Sequence, residues 1–316
     1  MKTIFLDEHT HIDEPCVATI GFFDGVHRGH QYLIHKVVEK AKQAGMPSVV
    51  LTFDQHPRAV LQKDYVPELL TTNEQKFDLL ARTAVDCVVV LHFTPTMAAL
   101  TAQEFMTHIL HHQLKVRALF IGYDHQFGYH RREGFADYVR YGQQLGMEVI
   151  RNDAYVDDEE GKQVSSSIIR KLIREGELPL ANRCLGYPYT LTSNVIGGFQ
   201  EGRKLGFPTA NLDIEQITQL LPAQGVYAVQ AQIDKTGAWY RGMTSIGTRP
   251  TFHGTSLSIE TNLLDNYHAN IYQHHLSIAF YKRLREEKCF SRVDDLRQQL
   301  VQDAENVNMF FNQLNE

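Results

Sequence analysis

The feature that most constrains this chain is a change of hydrophobic period partway along it. From Cys16 to Arg151, short β-branched runs at Val17–Ile20, Ser48–Phe53, Asp86–His92, Ala118–Ile121 and Met147–Arg151 alternate with segments of helical period. Short apolar runs bounded by Gly, Pro or charge suit strands buried on both faces of a parallel sheet. Between them, Gln31–Ala44 stops at Gly45 before Pro47, while Thr72-Asn73-Glu74-Gln75 and Thr101-Ala102-Gln103-Glu104 have capping-box spacing ahead of periodic segments. The first half is therefore expected to be a Rossmann-like α/β domain on a parallel sheet with right-handed crossovers.

Beyond Leu185 the period falls to two. Tyr189–Ile196, Val226–Ile233, Trp239–Ile246, Ser256–Leu264 and Leu276–Tyr281 are strand-like with Gly and Pro between them, which predicts a small antiparallel β-barrel or sandwich. Behind Ser291, residues Val293, Leu296, Leu300, Ala304, Val307, Phe311 and Leu314 recur at three- and four-residue steps, a C-terminal helix expected to pack across the barrel. The 316 residues exceed the roughly 100–200 of one domain, so two domains follow, 1–183 and 184–316, with one large barrel as the lesser alternative.

Composition closes off other classes. With 43% hydrophobic and 22% charged residues the chain is globular, and a net charge of −6 argues against a protein that coats nucleic acid or an anionic membrane. Asp7 and Glu8 interrupt the start before a secretory apolar segment develops, and no later run nears the roughly 20 residues that span a bilayer. Cys16, Cys87, Cys184 and Cys289 form no C-x-x-C and read as reduced thiols, so a cytoplasmic protein is expected. The neighbouring pairs His111-His112 and His274-His275 point in different directions on any regular element, which disfavours metal ligation.

The densest chemical signal is Gly21-Phe22-Phe23-Asp24-Gly25-Val26-His27-Arg28-Gly29-His30, directly after the first of these strands and before a helix. In an open α/β sheet, ligands sit at the carboxyl ends of strands, where a helix N-terminus presents unpaired N–H groups to phosphate. Gly21, Phe22, Asp24 and Gly25 would shape that turn. His27 and His30, sharing one side of the first helical turn, would donate to phosphate oxygens and stabilise charge on an α-phosphate as pyrophosphate leaves. A second piece is Val164-Ser165-Ser166-Ser167-Ile168-Ile169-Arg170, small hydroxyls opening a helix with an arginine one turn in. Alone it reads as an N-cap; with the histidine turn it is the other jaw of a nucleotide clamp.

In the second half, Gly202-Arg203-Lys204-Leu205-Gly206-Phe207-Pro208-Thr209-Ala210-Asn211 is a glycine-rich turn carrying cations. It is not a P-loop: although Gly197 and Gly202 have the spacing, Arg203 stands in place of the lysine, Lys204 in place of Ser/Thr, and no helix is expected after it. Thr209 and Asn211 face the same way if extended, and their oxygens suit Mg²⁺. In Leu257–Leu263, alternation puts Glu260 on the polar face with Ser258 and Asn262, where it either meets solvent or accepts a proton from an attacking alcohol.

The H-x-G-H turn and the serine run resemble the signatures of the nucleotidyltransferase superfamily. Ile121–Gly128, followed by Arg132 and Glu133, resembles the loop in which bacterial FMN adenylyltransferases hold flavin and adenine. Leu185–Tyr189, the Gly202–Asn211 run, Ile246–Thr251, Glu260 with Leu263–Asp265, and Lys282–Arg285 resemble, in that order, a riboflavin kinase domain. Together these segments, spanning essentially residues 16–305, resemble the bifunctional bacterial riboflavin kinase/FMN adenylyltransferase family.

The resemblance implies an adenylyltransferase α/β domain followed by a six-stranded flavokinase barrel and a helix. It implies ATP, riboflavin and FMN as substrates, FAD as product, Mg²⁺ on Thr209 and Asn211, Glu260 as base on the ribityl 5′-hydroxyl, and flavin at Asp124, Phe127 and Arg132. Nucleotide would be held at Gly21, Phe22, Asp24, Gly25, Ser165, Ser166, Ser167 and Arg170 in the first half and by Gly202, Arg203, Lys204 and Gly206 in the second. The chain departs from the family at Phe22, often Asn; at Ser167, often Thr; at Ile271-Tyr272-Gln273, often Leu-Tyr-Gly; and at Phe135, often an acid. A flavin-binding regulator without turnover, or a nucleotidyltransferase for another acceptor, are the competing readings, and the oligomeric state is not encoded legibly.

Overall fold

A computed structural model describes the chain except residues 63, 124, 158–160, 162, 198–200, 236, 252–253, 266–270 and 315–316. It divides into two compact units, Met1–Ser166 and Ser167–Glu316.

The first unit holds strands β1 (Lys2–Leu6), β2 (Cys16–Ile20), β3 (Ser48–Phe53), β4 (Cys87–Leu91), β5 (Val116–Ile121) and β6 (Glu148–Arg151), in the order β1-β4-β3-β2-β5-β6. Every pairing is parallel. β2, β3 and β4 are buried at every position, which is why their sequences are continuous apolar runs. One hydrophobic cluster packs each face, around Ala18, Leu51 and Leu119 on one side and Val17, Val50 and Ile34 on the other.

β1 is an addition to the expected sheet. It pairs only with β4 at the edge, and Phe5 is 66% exposed, so its residues lack the continuous apolar signal of its neighbours. Both expected capping boxes form, Thr72 with Gln75 and Thr101 with Glu104. The second opens only the short helix Ala102–Phe105, which runs on as the π-helical stretch Met106–Gln113.

Strand order places the ligand end of this sheet. From β2 the chain adds β3 and β4 on one side, then returns to place β5 on the other side of β2. The carboxyl ends of β2 and β5 thus flank the topological switch point, where the loops diverge and leave a crevice. The turn after β2 and the segment after β5 open there.

In the second unit, β7 (Tyr189–Ile196), β8 (Thr209–Leu212), β9 (Gly225–Ile233), β10 (Tyr240–Thr251), β11 (Gly254–Leu263) and β12 (His275–Arg285) close into an antiparallel barrel, β10-β11-β8-β7-β12-β9. Of the two expected antiparallel forms the chain adopts the closed one, which leaves no free sheet edge. The register puts Leu191, Val229, Ile259, Ile278 and Phe280 inside, together with Thr244 and Thr261, whose hydroxyls share a 2.8 Å hydrogen bond. Val226, Ala228 and Met243 point outward and are covered by Val307 and Phe311 of the helix Val293–Leu314. Two helices precede the barrel, Ser166–Glu175 and Leu178–Leu185. Asn182 in the second of them bonds to β12 through the Phe280 carbonyl and to β7 through the Tyr189 amide, both at 2.8 Å. The compact unit accordingly begins before the change of hydrophobic period that suggested 183/184.

Candidate active sites

The turn after β2 is held in a conformation that few residues adopt. Phe23 and Val26 have φ of 54° and 33°, in the left-handed region that disfavours side chains, and Gly25 has 79°. The buried Asp24 carboxylate fixes this shape. It accepts from the backbone amides of Leu70 at 2.9 Å and Thr71 at 3.2 Å, and the Thr71 hydroxyl accepts from Gly25 N. Gly21 is tied to β3 through the Leu51 carbonyl, and the Phe22 carbonyl accepts from the Thr52 hydroxyl.

His27 caps the helix Arg28–Ala44: its Nδ1 accepts from His30 N at 3.3 Å. With Nδ1 an acceptor, the neutral imidazole carries its proton on Nε2, which makes that atom a donor. The His27 and His30 rings are stacked, centroids 3.6 Å apart and 18° from parallel, and the Phe23 ring meets His30 edge-on. His30 Nδ1 is buried without a hydrogen-bond partner among the described residues. Burial, then the neighbouring His27 and His125, holds this imidazole well below its usual pKa of 6.5, so His30 is neutral at pH 7.

Gly29 explains how the turn meets the serine run. A Cβ there would lie 3.1 Å from the His27 ring and 3.3 Å from the Val164 carbonyl, so any side chain would push the ring and residue 164 back by a few tenths of an ångström. Ser165 is half-buried next to it, and the Ser166 hydroxyl donates to the Asp24 carbonyl at 3.1 Å across 142 residues of sequence. Ser167, exposed, and Arg170, half-buried, follow on the helix Ser166–Glu175.

On the other side of the switch point, Phe127 stacks on Tyr138 at 4.4 Å and 10°, so Tyr138 takes one ring face. Arg132 is exposed, and Asp124 lies outside the described residues. Phe135, where the family often has an acid, lies under the Arg151 guanidinium at 5.7 Å, and Arg151 also donates to the Tyr123 carbonyl.

A feature the sequence analysis missed lies after β3. Phe22, His56 and Tyr65 form an aromatic ladder, with ring centroids 4.8 and 5.5 Å apart, and Arg58 covers Tyr65 at 4.3 Å. The available signal was His56-Pro57 shortly after a strand, beyond Asp54-Gln55, where proline at the first helical position opens the short helix Pro57–Leu61.

In the second unit the candidate residues meet on the outer wall of the barrel. Glu260 pairs with Asn211 and Asn262 with Thr209 across β11 and β8, so all four side chains share one face. Thr209 Oγ1 donates to the Glu260 carboxylate at 3.2 Å, and Asn262 Nδ2 to the Pro208 carbonyl at 2.7 Å. The register continues to Ser245 and Val226, which puts this wall next to the patch under the C-terminal helix. Preceding β8, Glu201–Lys204 makes a single helical turn within the glycine motif. A Cβ on Gly202 would lie 2.4 Å from the Phe207 carbonyl oxygen, which accounts for glycine there. Arg203, Lys204 and Gly206 are exposed on this turn.

Comparison with known proteins identifies the family of each half. The family description FAD synthetase matches residues 9–168 and the description Riboflavin kinase matches residues 185–311. A bifunctional riboflavin kinase/FMN adenylyltransferase of Escherichia coli (strain K12) is 34% identical over 298 residues, covering 94% of this chain and 93% of that protein. That of Listeria monocytogenes is 37% identical over 325 residues, covering both chains completely. A crystal structure described as a macrolide-efflux protein from Streptococcus pneumoniae superposes with a TM-score of 0.86 at 30% identity, covering 98% of this chain and 99% of the other. Among the described residues of this chain no helix is long and apolar enough to cross a membrane. The chain belongs to the bifunctional riboflavin kinase/FMN adenylyltransferase family, with the FAD synthetase domain first and the riboflavin kinase domain second.

Proposed function

We propose that the turn Gly21–His30 carries the adenylylation of FMN and that the wall formed by Thr209, Asn211 and Glu260 carries the phosphorylation of riboflavin. The chain is a bifunctional enzyme: its C-terminal domain converts riboflavin and ATP to FMN, and its N-terminal domain converts FMN and ATP to FAD.

In the first reaction, Glu260 accepts the proton of the ribityl 5′-hydroxyl as that oxygen attacks the γ-phosphorus of ATP, and ADP leaves. The Thr209 hydroxyl, 3.2 Å from Glu260, orients the carboxylate. Thr209 and Asn211 offer hard oxygen donors on the same wall, which fits Mg²⁺ in a shell completed by phosphate oxygens and water. Bound there, Mg²⁺ neutralises phosphate charge. Gly202, Arg203, Lys204 and Gly206 sit on the turn beside β8, where their backbone and cations suit the ATP phosphates.

In the second reaction, an FMN phosphate oxygen attacks the α-phosphorus of ATP and pyrophosphate leaves, with no covalent enzyme intermediate. His27 Nε2–H and the neutral His30 ring, stacked at the start of a helix, are fixed donors for charge that grows on the α-phosphate. Gly21, Phe22, Asp24 and Gly25 shape the turn; Ser165, Ser166, Ser167 and Arg170 complete the nucleotide site; and Asp124, Phe127 and Arg132 hold flavin. Because both steps consume ATP, we place the enzyme in the cytoplasm.

The observation that carries this reading is the His27 cap at the switch point of the sheet, where Nδ1 accepts from His30 N and the proton of the neutral ring is left on Nε2. The test is to incubate the protein with riboflavin, ATP and Mg²⁺, or with FMN, ATP and Mg²⁺, and separate the flavins by chromatography. Riboflavin should give FMN and then FAD, and FMN should give FAD directly; binding without turnover would instead support a flavin regulator.

A further inference from the structure

Lys76 is a buried cation that neither reaction described above uses. It is 2% exposed, on the helix Asn73–Ala81 behind the Thr72 cap. Its Nζ donates to the Phe53 carbonyl at the end of β3 at 2.8 Å and stands 4.4 Å from the centre of the Phe22 ring. The Phe77 ring centre lies 5.7 Å from it. The negative groups facing it are Asp24, from the turn after β2, and Asp54, from the loop after β3. Asp54 in turn pairs with His92 after β4, and His56 meets the far edge of Phe22.

Burying an ammonium is costly unless something nearby needs its charge. Here the need is local. The Asp24 carboxylate is 4% exposed and holds three left-handed residues in place, so a buried cation close by offsets part of the cost of burying it. Phe22 takes the place of the amide common in the family and offers the ammonium a ring face. Lys76 therefore acts on the turn at two residues, on Phe22 by direct contact and on Asp24 through its field.

We propose that Lys76 is a positioning residue of the adenylylation site: its ammonium, clamped between the Phe22 ring and the Phe53 carbonyl, keeps the turn Gly21–Val26 in its phosphate-binding shape. The inference rests on the assignment of that turn to the nucleotide phosphates. Burial pushes the Lys76 ammonium down to about 8, with Asp24 and Asp54 pulling it back up. Below that pH the turn is held; above it, a neutral amine no longer offsets Asp24 or attracts the Phe22 face, and the turn relaxes.

The test uses the full-length enzyme, with FMN adenylylation measured from pH 6.5 to 9.5 and riboflavin disappearance followed in parallel. In the wild type, kcat/KM for ATP in adenylylation should fall through a midpoint near 8. Lys76→Met should lower it about tenfold or more at pH 7 and abolish that alkaline limb, because a small displacement of a phosphate-binding turn is costly in rate. Lys76→Arg, charged throughout, should stay near wild type at pH 7 and remain active to pH 9. Riboflavin disappearance should be unchanged in both variants. Unaltered adenylylation in Lys76→Met, or a wild-type alkaline limb surviving in Lys76→Arg, overturns the inference. If Lys76→Met does not fold, the wild-type and Lys76→Arg profiles decide. His27→Ala, assayed alongside, separates the two levels: if it leaves adenylylation intact, the assignment of the turn itself falls.

Discussion

The hydroxyl of Thr209 lies 3.2 Å from the carboxylate of Glu260, on adjacent strands of the barrel's outer wall. In the proposed kinase mechanism this hydrogen bond joins the phosphate-side residue to the base. Glu260→Gln keeps the shape and that hydrogen bond but removes the proton acceptor. Riboflavin phosphorylation should fall about 10²–10⁴-fold, the usual contribution of a general base, with FMN adenylylation retained. Steady-state rates from riboflavin and from FMN check this; equal losses in both would make Glu260 structural.

His27 caps its helix in the structure and is a phosphate donor in the proposed mechanism, and the two duties are separable. His27→Ala removes both and should slow FAD formation by about 10²–10³-fold while costing about 1 kcal/mol of stability. His27→Asn restores an acceptor for His30 N, so it should recover the stability and leave adenylylation slow. His30→Ala should lose adenylylation to a similar degree. Turnover should drop more than apparent ATP affinity, since the donors matter most in the transition state. Thermal melts and kinetics on the three variants distinguish the duties.

His30 also predicts a pH dependence of stability. An unfolded imidazole titrates near 6.5, whereas folded His30 stays neutral well below that. The unfolded chain therefore binds the extra proton first: the contribution is complete above about pH 6.5 and is lost as pH falls below it. The melting temperature of the first domain should decline between pH 7 and 5.5 more steeply in the wild type than in His30→Gln. Parallel slopes would show that His30 is protonated in the native state.

Arg285 and Asp303 anchor the C-terminal helix. The Arg285 guanidinium donates through Nε and Nη2 to a carboxylate that is 1% exposed, at 2.7–3.0 Å. Asp303→Ala should cost about 3–5 kcal/mol, because it strands a largely buried charge, whereas replacing both residues by Leu should cost much less. Calorimetry on the full chain reads both variants, and kinase activity should be lost at lower temperature in Asp303→Ala.

The helix Leu178–Leu185 decides where a kinase fragment must begin. Leu178, Ala181 and Leu185 are fully buried, and Asn182 bonds two barrel strands. A fragment of residues 167–316 should melt well above one of residues 184–316, since the shorter one lacks Leu178, Ala181 and Asn182 and a buried leucine alone is worth about 1.5–3 kcal/mol. Equal melting temperatures would show the helix to be dispensable.

The sequence by itself determined most of the elements and the two motif-bearing turns. Continuous apolar runs marked β2 to β6, alternation marked most of the barrel strands, and the glycine–histidine and glycine–threonine motifs marked the two turns, because those signals are local and repeat along the chain. β1 and β8 escaped: one is a half-exposed edge strand and the other spans only Thr209–Leu212, so neither has the length or burial to show a period. Tertiary structure alone decided what lies beside what. That Ser166 reaches Asp24, that the Glu260 wall faces outward beside the C-terminal helix, that Phe22 meets a buried Lys76, and that the barrel closes, all follow from strand order, register and packing between residues far apart in the chain. Periodicity reports which face of an element is buried, and it carries no information on which distant element buries it.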